Sequence, residues 1–228
     1  MLTIPLYIAS VVGIIILSFF IFSKRADKRG LYFSVMSFFM AGWLLCQFLA
    51  IKFPLFAHFL TITGLIAFSF MPLFFYLFAA EFVELEKRLK SITSKIVMTA
   101  TIVMAVIAVL PGTIKDVSVK DGGLVVNAGL AYTIQTVLAV TLVLASIVIF
   151  IKRFRYFVVS QRLASYYLLT GLTIALICNL ITGFLFATVA SIQFLGPLGI
   201  FVMTALVAYS ITKHKLFDIR LIVARSLG

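Results

Sequence analysis

Residues Leu130 to Arg155 read LAYTIQTVLAVTLVLASIVIFIKRFR, and this pattern recurs along the whole chain. No charged residue occurs between Leu130 and Ile151, and Lys152, Arg153 and Arg155 follow directly. A helix of about 20 residues crosses a hydrocarbon core of about 30 Å. The stretch is therefore typical of a transmembrane helix that ends at a basic membrane surface.

Six other stretches have a similar apolar composition. With the first, they predict seven membrane spans, at 2–22, 31–51, 55–80, 96–110, 130–151, 166–187 and 194–211. The overall composition agrees, since 64% of the residues are hydrophobic and 11% are charged, unlike a soluble domain. We therefore predict an all-α integral membrane protein built as a bundle of seven transmembrane helices.

The basic residues fall almost wholly on one side of these spans. Sixteen of the 19 Lys and Arg residues lie in the connections 23–30, 81–95 and 152–163 and in the tail after 211. The other connections carry only Lys52, Lys115 and Lys120. Because basic residues accumulate in cytoplasmic loops, we predict an outside N-terminus and a cytoplasmic C-terminus, with the basic loops against membrane lipids. Their division among four short segments disfavours binding to nucleic acid.

The polar connection 111–129 contains a turn signal. Asp121-Gly122 lies between β-branched residues, which predicts a short extracellular β-hairpin with a two-residue turn between helices 4 and 5. In that hairpin Val119 faces Leu124 and Val117 faces Val126, so these four side chains share one face. Two interpretations stay open: a solvated connector without a ligand, or a lid over the helix bundle.

Several chemistries have no support in the chain. The sequence lacks a glycine-rich phosphate loop, a zinc-protease motif, a Cys-x-x-Cys pair and a nucleophile elbow. The last span has no lysine for a retinal Schiff base. Glu81, the carboxylate nearest to a span, lies at the cytoplasmic end of the third span, which disfavours ion transport. We therefore expect no catalytic residue, no cofactor and no metal site.

Uncharged polar residues remain inside the spans, mostly toward their outer ends. They are Gln47, His58, Tyr132, Gln135, Thr136, Asn179, Thr182 and Gln193. Buried polar groups need partners in a membrane, so we expect these residues to face one another. They either form interhelical hydrogen bonds alone or line an outward-opening pocket for a small or lipid-like ligand. In addition, Gly171-x-x-x-Ala175 predicts close contact of the sixth span with a neighbouring helix.

The tail from 213 reads KHKLFDIRLIVARSLG. It resembles the end of the seven-helix module at the N-terminus of bacterial sensor histidine kinases, where a His/Arg-x-Leu-Phe-Asp-Ile-Arg element enters the signalling helix. Asp218 is suited to cap that helix. The resemblance assigns signal transmission to five positions: His214, Leu216, Phe217, Asp218 and Arg220.

The same resemblance implies a multi-pass protein of the bacterial cytoplasmic membrane, with a sensor domain at 1–211 and the start of the signalling helix at 212–228. Its expected partners are a small-molecule ligand, a second copy of the chain in a homodimer, and a histidine kinase or similar output domain in cis or on another protein. The chain itself is not expected to be an enzyme, because it shows no ATP-binding domain and neither His58 nor His214 is followed by an acidic residue. The alternatives are a transporter or carrier of a neutral amphipathic solute, or a membrane scaffold.

Overall fold

The chain folds as a helical bundle with a small hairpin. The structure, a computed structural model, describes residues 3–23, 28–120, 123–154, 157, 159–185 and 194–214. The described helices are α1 (Thr3–Ser23), α2 (Lys28–Lys52), α3 (Ala57–Phe82), α4 (Lys87–Val109), α5 (Leu130–Arg153), α6 (Val159–Leu185) and α7 (Leu195–His214), with a 3-10 turn at Pro54–Phe56. The strands are β1 (Ile114–Lys120) and β2 (Gly123–Ala128).

The membrane character of these helices follows from their length and composition. Among the described residues, six helices are long and apolar enough to cross a membrane, and a seventh apolar stretch, Leu195–Ile211, is shorter. The predicted seven-helix membrane bundle and the hairpin between helices 4 and 5 are therefore confirmed.

Two helices begin seven or more residues earlier than the sequence analysis predicted. The fourth begins at Lys87 rather than at 96, and the sixth begins at Val159 rather than at 166. Hydropathy marks only the part of a helix at membrane depth, whereas the polar turns before that part can also be helical. An ion pair between Lys90 and Glu81 joins the first turns of α4 to the end of α3. The predicted end of the sixth span and the turn after it, residues 186–193, lie outside the described residues.

The helices pack as an open ring. α2 packs along α3, α6 packs along α7, and α1 joins the two pairs by contacting both α2 and α7. α3 also contacts α4 and α5, which contact each other. The predicted close approach at Gly171 is present, because a Cβ added there would lie 3.1 Å from the Cα of Met203 in α7. Within the described residues, α5 and α6 do not pack extensively against each other.

The two ends of the bundle are filled differently. We call the end with the α3–α4 connection the basic end, and the end that carries β1 and β2 the hairpin end. An aromatic cluster fills the interior near the basic end; it consists of Phe33, Phe78, Phe82, Phe150 and Phe157. The rings of Phe82 and Phe150 stack with centroids 4.9 Å apart. The guanidinium of Arg29 lies over the ring of Phe82 at 5.6 Å and pairs with Glu84 at 3.1 Å.

The orientation in the membrane gives a first prediction. In a variant with Cys46 and Cys178 replaced by alanine, a cysteine at Ser118 in β1 should react with a membrane-impermeant maleimide on intact cells. A cysteine at Ser91, exposed at the basic end, should react only after the membrane is permeabilised, because the basic loops favour the cytoplasmic side. The reverse labelling pattern would mean that the bundle is inverted.

Candidate functional site

A cavity of about 120 Å³ lies between the helices at the hairpin end. We call it the hairpin-end cavity. Side chains of every described helix except α4 line it, together with side chains of β2. Its polar lining residues are Tyr7, Gln47, Thr61, Tyr132, Thr136, Asn179 and Thr182. Most of the remaining lining is aromatic or aliphatic, so the cavity is an apolar space with a few polar groups directed into it, as in small-molecule sites.

The hairpin forms one wall of this cavity. Its strands pair antiparallel, with Val119 opposite Leu124 and Val117 opposite Val126. This is the register that we predicted from Asp121-Gly122, which themselves lie outside the described residues. Leu124 is only 1% exposed, and it lines the cavity together with Val126. The shared face of the hairpin therefore packs onto the bundle.

An irregularity in β1 keeps a charge away from this wall. Strict alternation along the strand would place Lys115 on the same face as Val117. The pairing shifts between Ile114 and Asp116, and such a shift exchanges the two faces of a strand. As a result Ile114 is buried and Lys115 is exposed, so the hairpin presents only apolar side chains to the bundle at this point.

Two amides supply unused hydrogen-bonding atoms to the cavity. The hydroxyl of Tyr7 donates to Oε1 of Gln47 at 3.0 Å, and Nδ2 of Asn179 donates to the carbonyl of Ala175 at 2.7 Å. Within the described residues, Nε2 of Gln47 and Oδ1 of Asn179 have no protein partner. These two amides therefore offer the cavity an uncharged donor and an uncharged acceptor.

The structure brings together most of the residues predicted to form a pocket. The five that line the cavity are Gln47, Tyr132, Thr136, Asn179 and Thr182. His58, by contrast, is exposed and does not line it. Gln193 lies outside the described residues.

Gln135 also lies outside the cavity lining. Its side chain, 1% exposed, donates from Nε2 to the hydroxyl of Ser69 at 2.9 Å and to the carbonyl of Leu65 at 3.3 Å. A rotation of about 100° per residue separates Gln135 from Tyr132 by about 60° around α5, which is enough to direct the amide at α3 instead. This residue therefore fits the other interpretation of the polar set, an interhelical hydrogen bond.

Sequence reasoning overlooked several lining residues, among them Tyr7 and Trp43. Tyr7 holds the amide of Gln47, and Trp43 packs on Phe68 with ring centroids 5.5 Å apart. The available signals were a phenol within an aliphatic first span and the single tryptophan of the chain, since a buried aromatic residue with a polar atom usually has a partner.

One protein family matches almost the whole chain. Its model, described as the N-terminal seven-transmembrane region of histidine kinase, covers residues 6–220. The chain belongs to this family. Among curated proteins and among solved structures, none matches the chain. The resemblance that we found in the tail is confirmed, and this family is the sensor region of histidine kinases rather than their catalytic part.

In this sensor region, α7 runs from the cavity toward the basic end. Gly196 and Pro197 in its first turn line the cavity, and Ser10 of α1 donates a hydrogen bond to the carbonyl of Pro197 at 2.8 Å. Near the other end of α7, Ser210 donates to the carbonyl of Ala164 in α6 at 3.0 Å. Hydrogen bonds to neighbouring helices therefore hold α7 near both of its ends.

The different positions of two glutamines in the sensor region give a second prediction. Gln135→Leu should change the free energy of unfolding by about 0.6–2 kcal/mol, the scale of a hydrogen bond between membrane helices. It should leave unchanged the thermal stabilisation by any compound that a thermal-shift screen identifies. Gln47→Leu should remove that stabilisation, because it deletes the donor in the cavity. Loss of stabilisation in Gln135→Leu but not in Gln47→Leu would place the binding site elsewhere.

Proposed function

We propose that this sensor region binds a neutral small or lipid-like ligand in the hairpin-end cavity and transmits the binding event to a cytoplasmic output domain. One observation carries the proposal: α7 lines the cavity with Gly196 and Pro197 and leads without interruption to His214. The tail with the Leu216-Phe217-Asp218 element follows there; it lies outside the described residues. A ligand that displaces the first turn of α7 would thus act on the helix that precedes the output.

Such a switch needs two helix arrangements that bind the ligand differently. A coupling of about 1–3 kcal/mol between ligand and output is typical. The packing of the bundle favours a ligand-dependent rearrangement that begins at the hairpin end, because the aromatic cluster fills the interior near the basic end whereas the hairpin end contains a cavity. A packed core resists compression and therefore transmits a displacement.

The difference in packing between the two ends of the bundle also disfavours the alternative function, a carrier of a neutral solute. A carrier must open its binding site to both sides of the membrane in turn. Here the buried rings of Phe82 and Phe150 stack in the interior near the basic end, and Phe157 packs edge-on against both rings at 5.4 and 5.7 Å. Sensing requires only a movement of α7, which leaves this cluster in place.

The proposal extends to the partners of the chain. Residues 1–211 would form the sensor domain, and 212–228 would begin the signalling helix of a histidine kinase or similar output domain. A homodimer in the bacterial cytoplasmic membrane would match the dimeric state of kinase output. The basic loops would contact anionic lipid headgroups.

The direct test is a fusion of the chain to the cytoplasmic part of a histidine kinase. We expect a neutral compound found by thermal shift on the purified sensor region to change autophosphorylation of the fusion in lipid nanodiscs. Asn179→Leu should abolish this response and leave basal phosphorylation intact, since it removes the acceptor from the cavity. A compound that stabilises the parent through the cavity but leaves phosphorylation unchanged would contradict the proposal.

The tail gives a third prediction in the same fusion. If Asp218 is the N-cap of the signalling helix, Asp218→Ala should cost about 0.5–2 kcal/mol of local helix stability. That is too little to unfold the bundle, but it should change the ligand-dependent phosphorylation. Asp218→Asn is the matched control, because asparagine caps a helix about as well as aspartate. Equal coupling in parent, Asp218→Ala and Asp218→Asn would show that the carboxylate has no role in transmission.

A further inference from the structure

A second cavity of about 110 Å³ lies deeper in the bundle. We call it the mid-membrane cavity. Four methionines from three helices line it: Met36, Met40, Met71 and Met203. Among the described residues that line it, Asn179 is the one amide, and apart from the indole nitrogen of Trp43 the others are apolar. Methionine side chains are flexible and polarisable, so they adapt to apolar groups of different shape.

The two cavities share a wall. Trp43, Phe68, Val140, Leu176 and Asn179 line both of them. The contact between the rings of Trp43 and Phe68 therefore lies where the hairpin-end cavity meets the mid-membrane cavity. Asn179 lies at the same junction, with Oδ1 free to accept a hydrogen bond. A ligand longer than one cavity would have to pass this junction.

The chemistry changes from one cavity to the other. The uncharged donor of Gln47 and several hydroxyls belong to the hairpin-end cavity alone, whereas the methionines belong to the mid-membrane cavity alone. Among the described residues, no acidic, basic or histidine side chain lines either space. A charged group would be costly to bury there without a partner, so the ligand has to be neutral.

The volumes limit the size of the ligand. A cavity of about 150 Å³ accepts one benzene molecule. The two spaces, about 120 and 110 Å³, would each hold a group of roughly four or five carbon atoms by that measure. A two-chain phospholipid is far too large, whereas a single chain of about eight to ten carbons with a small head matches.

The arrangement of the helices also bears on how a ligand would enter. α5 contributes Ala139, Val140 and Val143 to the mid-membrane cavity, and α6 contributes Leu172 and Leu176. Since these two helices do not pack extensively against each other in the described residues, a route from the cavity to the hydrocarbon core would require the least separation of helices on this side. An amphiphile dissolved in the bilayer could enter by this route.

We infer that the two cavities form one site for a neutral single-chain amphiphile, such as a medium-chain alcohol or amide. The polar head of the amphiphile lies between Gln47 and Asn179, and its alkyl chain passes Trp43 and Phe68 into the mid-membrane cavity. The inference rests on the proposed function for its consequence in signalling, and it specifies the class of ligand.

The single tryptophan gives a direct readout of this site. Trp43 lines both cavities, so 8-bromo-1-octanol bound there should quench its fluorescence in phosphatidylcholine nanodiscs. Competing 1-alkanols from four to twelve carbons should reverse the quenching with increasing potency up to about eight to ten carbons and with decreasing potency beyond that length. Decanoate and decyltrimethylammonium should not compete, because their heads are charged. Potency that rises steadily to twelve carbons would indicate bilayer partitioning alone and would overturn the inference.

A substitution that fills the mid-membrane cavity tests whether the alkyl chain of the ligand lies there. Ala139, 1% exposed, lines only this cavity, and Ala139→Leu adds three carbons to it. The variant should weaken 1-decanol about tenfold or more and leave 1-butanol within about twofold. Ala145→Leu, on an exposed face of the same helix, is the matched control and should change neither. If Ala139→Leu does not fold, the smaller Ala139→Val should still weaken 1-decanol more than 1-butanol; equal effects on both alcohols would overturn the inference.

The outcome separates this inference from the proposed function. If the chain-length limit fails while a different neutral compound still changes phosphorylation of the kinase fusion through Asn179, the amphiphile site is wrong and the sensor function stands. Suppose instead that the chain-length limit holds and Ala139→Leu weakens 1-decanol, but bound alkanol does not change phosphorylation of the fusion. The amphiphile site then stands, and the sensor function fails for this class of ligand.

Discussion

Gly199→Val should disrupt the packing of α7 against α6 and destabilise the bundle by more than about 3 kcal/mol. A Cβ at Gly199 would lie 2.6 Å from Cβ of Cys178 and 3.2 Å from Cα of Ala175. The first distance is too short for two carbon atoms and the second is tight. Both obstacles, a Cβ and a Cα, are fixed to the backbone of α6 and are not the end of a flexible side chain. The two helices would have to separate along the contact that positions α7. Unfolding of the purified chain in mixed micelles with increasing SDS measures the loss.

A matched glycine and a second-site change make this prediction specific. Gly42 in α2 has nothing within 4 Å of an added Cβ, so Gly42→Ala should be neutral or stabilise by up to about 1 kcal/mol through helix propensity. Cys178→Gly removes the atom nearest to Gly199, and it should therefore reduce the cost of Gly199→Ala in a double-mutant cycle. Equal costs of Gly199→Ala with and without Cys178→Gly would show that this contact does not limit the approach of the helices.

Gly129→Ala should detach the base of the hairpin and thereby open the hairpin-end cavity. An added Cβ would overlap the carbonyl oxygen of Gly112 and lie 3.1 Å from its carbonyl carbon. The amide of Gly129 also donates to the carbonyl of Thr113 at 2.9 Å, so the backbone cannot shift without losing that bond. We expect a destabilisation of about 2–4 kcal/mol and the loss of compound-dependent stabilisation, because Leu124 and Val126 would leave the cavity wall. Protection of the β2 amides from hydrogen exchange reports the hairpin directly.

Gly112 provides the control for the same turn. It has a φ of +84°, but an added Cβ would meet nothing within 4 Å. Gly112→Ala should therefore cost only about 1–2 kcal/mol for the left-handed backbone and leave the hairpin docked. If both variants lose hairpin protection equally, backbone conformation rather than the overlap at Gly129 would control docking.

The sequence predicted the elements whose signals are local. The hairpin register followed from Asp121-Gly122, because a two-residue turn fixes which residues face each other across the strands. The spans followed from hydropathy, because a bilayer excludes charge over a fixed thickness. The starts of α4 and α6 were predicted too late, because hydropathy marks the apolar part of a helix at membrane depth and not its polar first turns.

The candidate site could be predicted only in part. Gln47 and Asn179 were found because buried amides are costly in a membrane and therefore noticeable. Gln135 had the same signature yet bonds to Ser69 of α3. A helix in a membrane is apolar on nearly all sides, so its sequence does not show which face is turned inward. The rotation of a helix about its own axis is set by contacts with neighbouring helices, and the sequence of the helix does not show those contacts.

The sequence by itself determined the membrane class, the seven helices, the hairpin and the family to which the tail points. Only the tertiary structure decided that Tyr7 holds Gln47, that residues of α5 and α6 line the same two cavities and that Gly199 lets α7 approach α6. The physical reason is the range of each interaction. Hydropathy and turn preference act within a few residues, whereas cavities arise from the imperfect fit of helices that are distant in sequence.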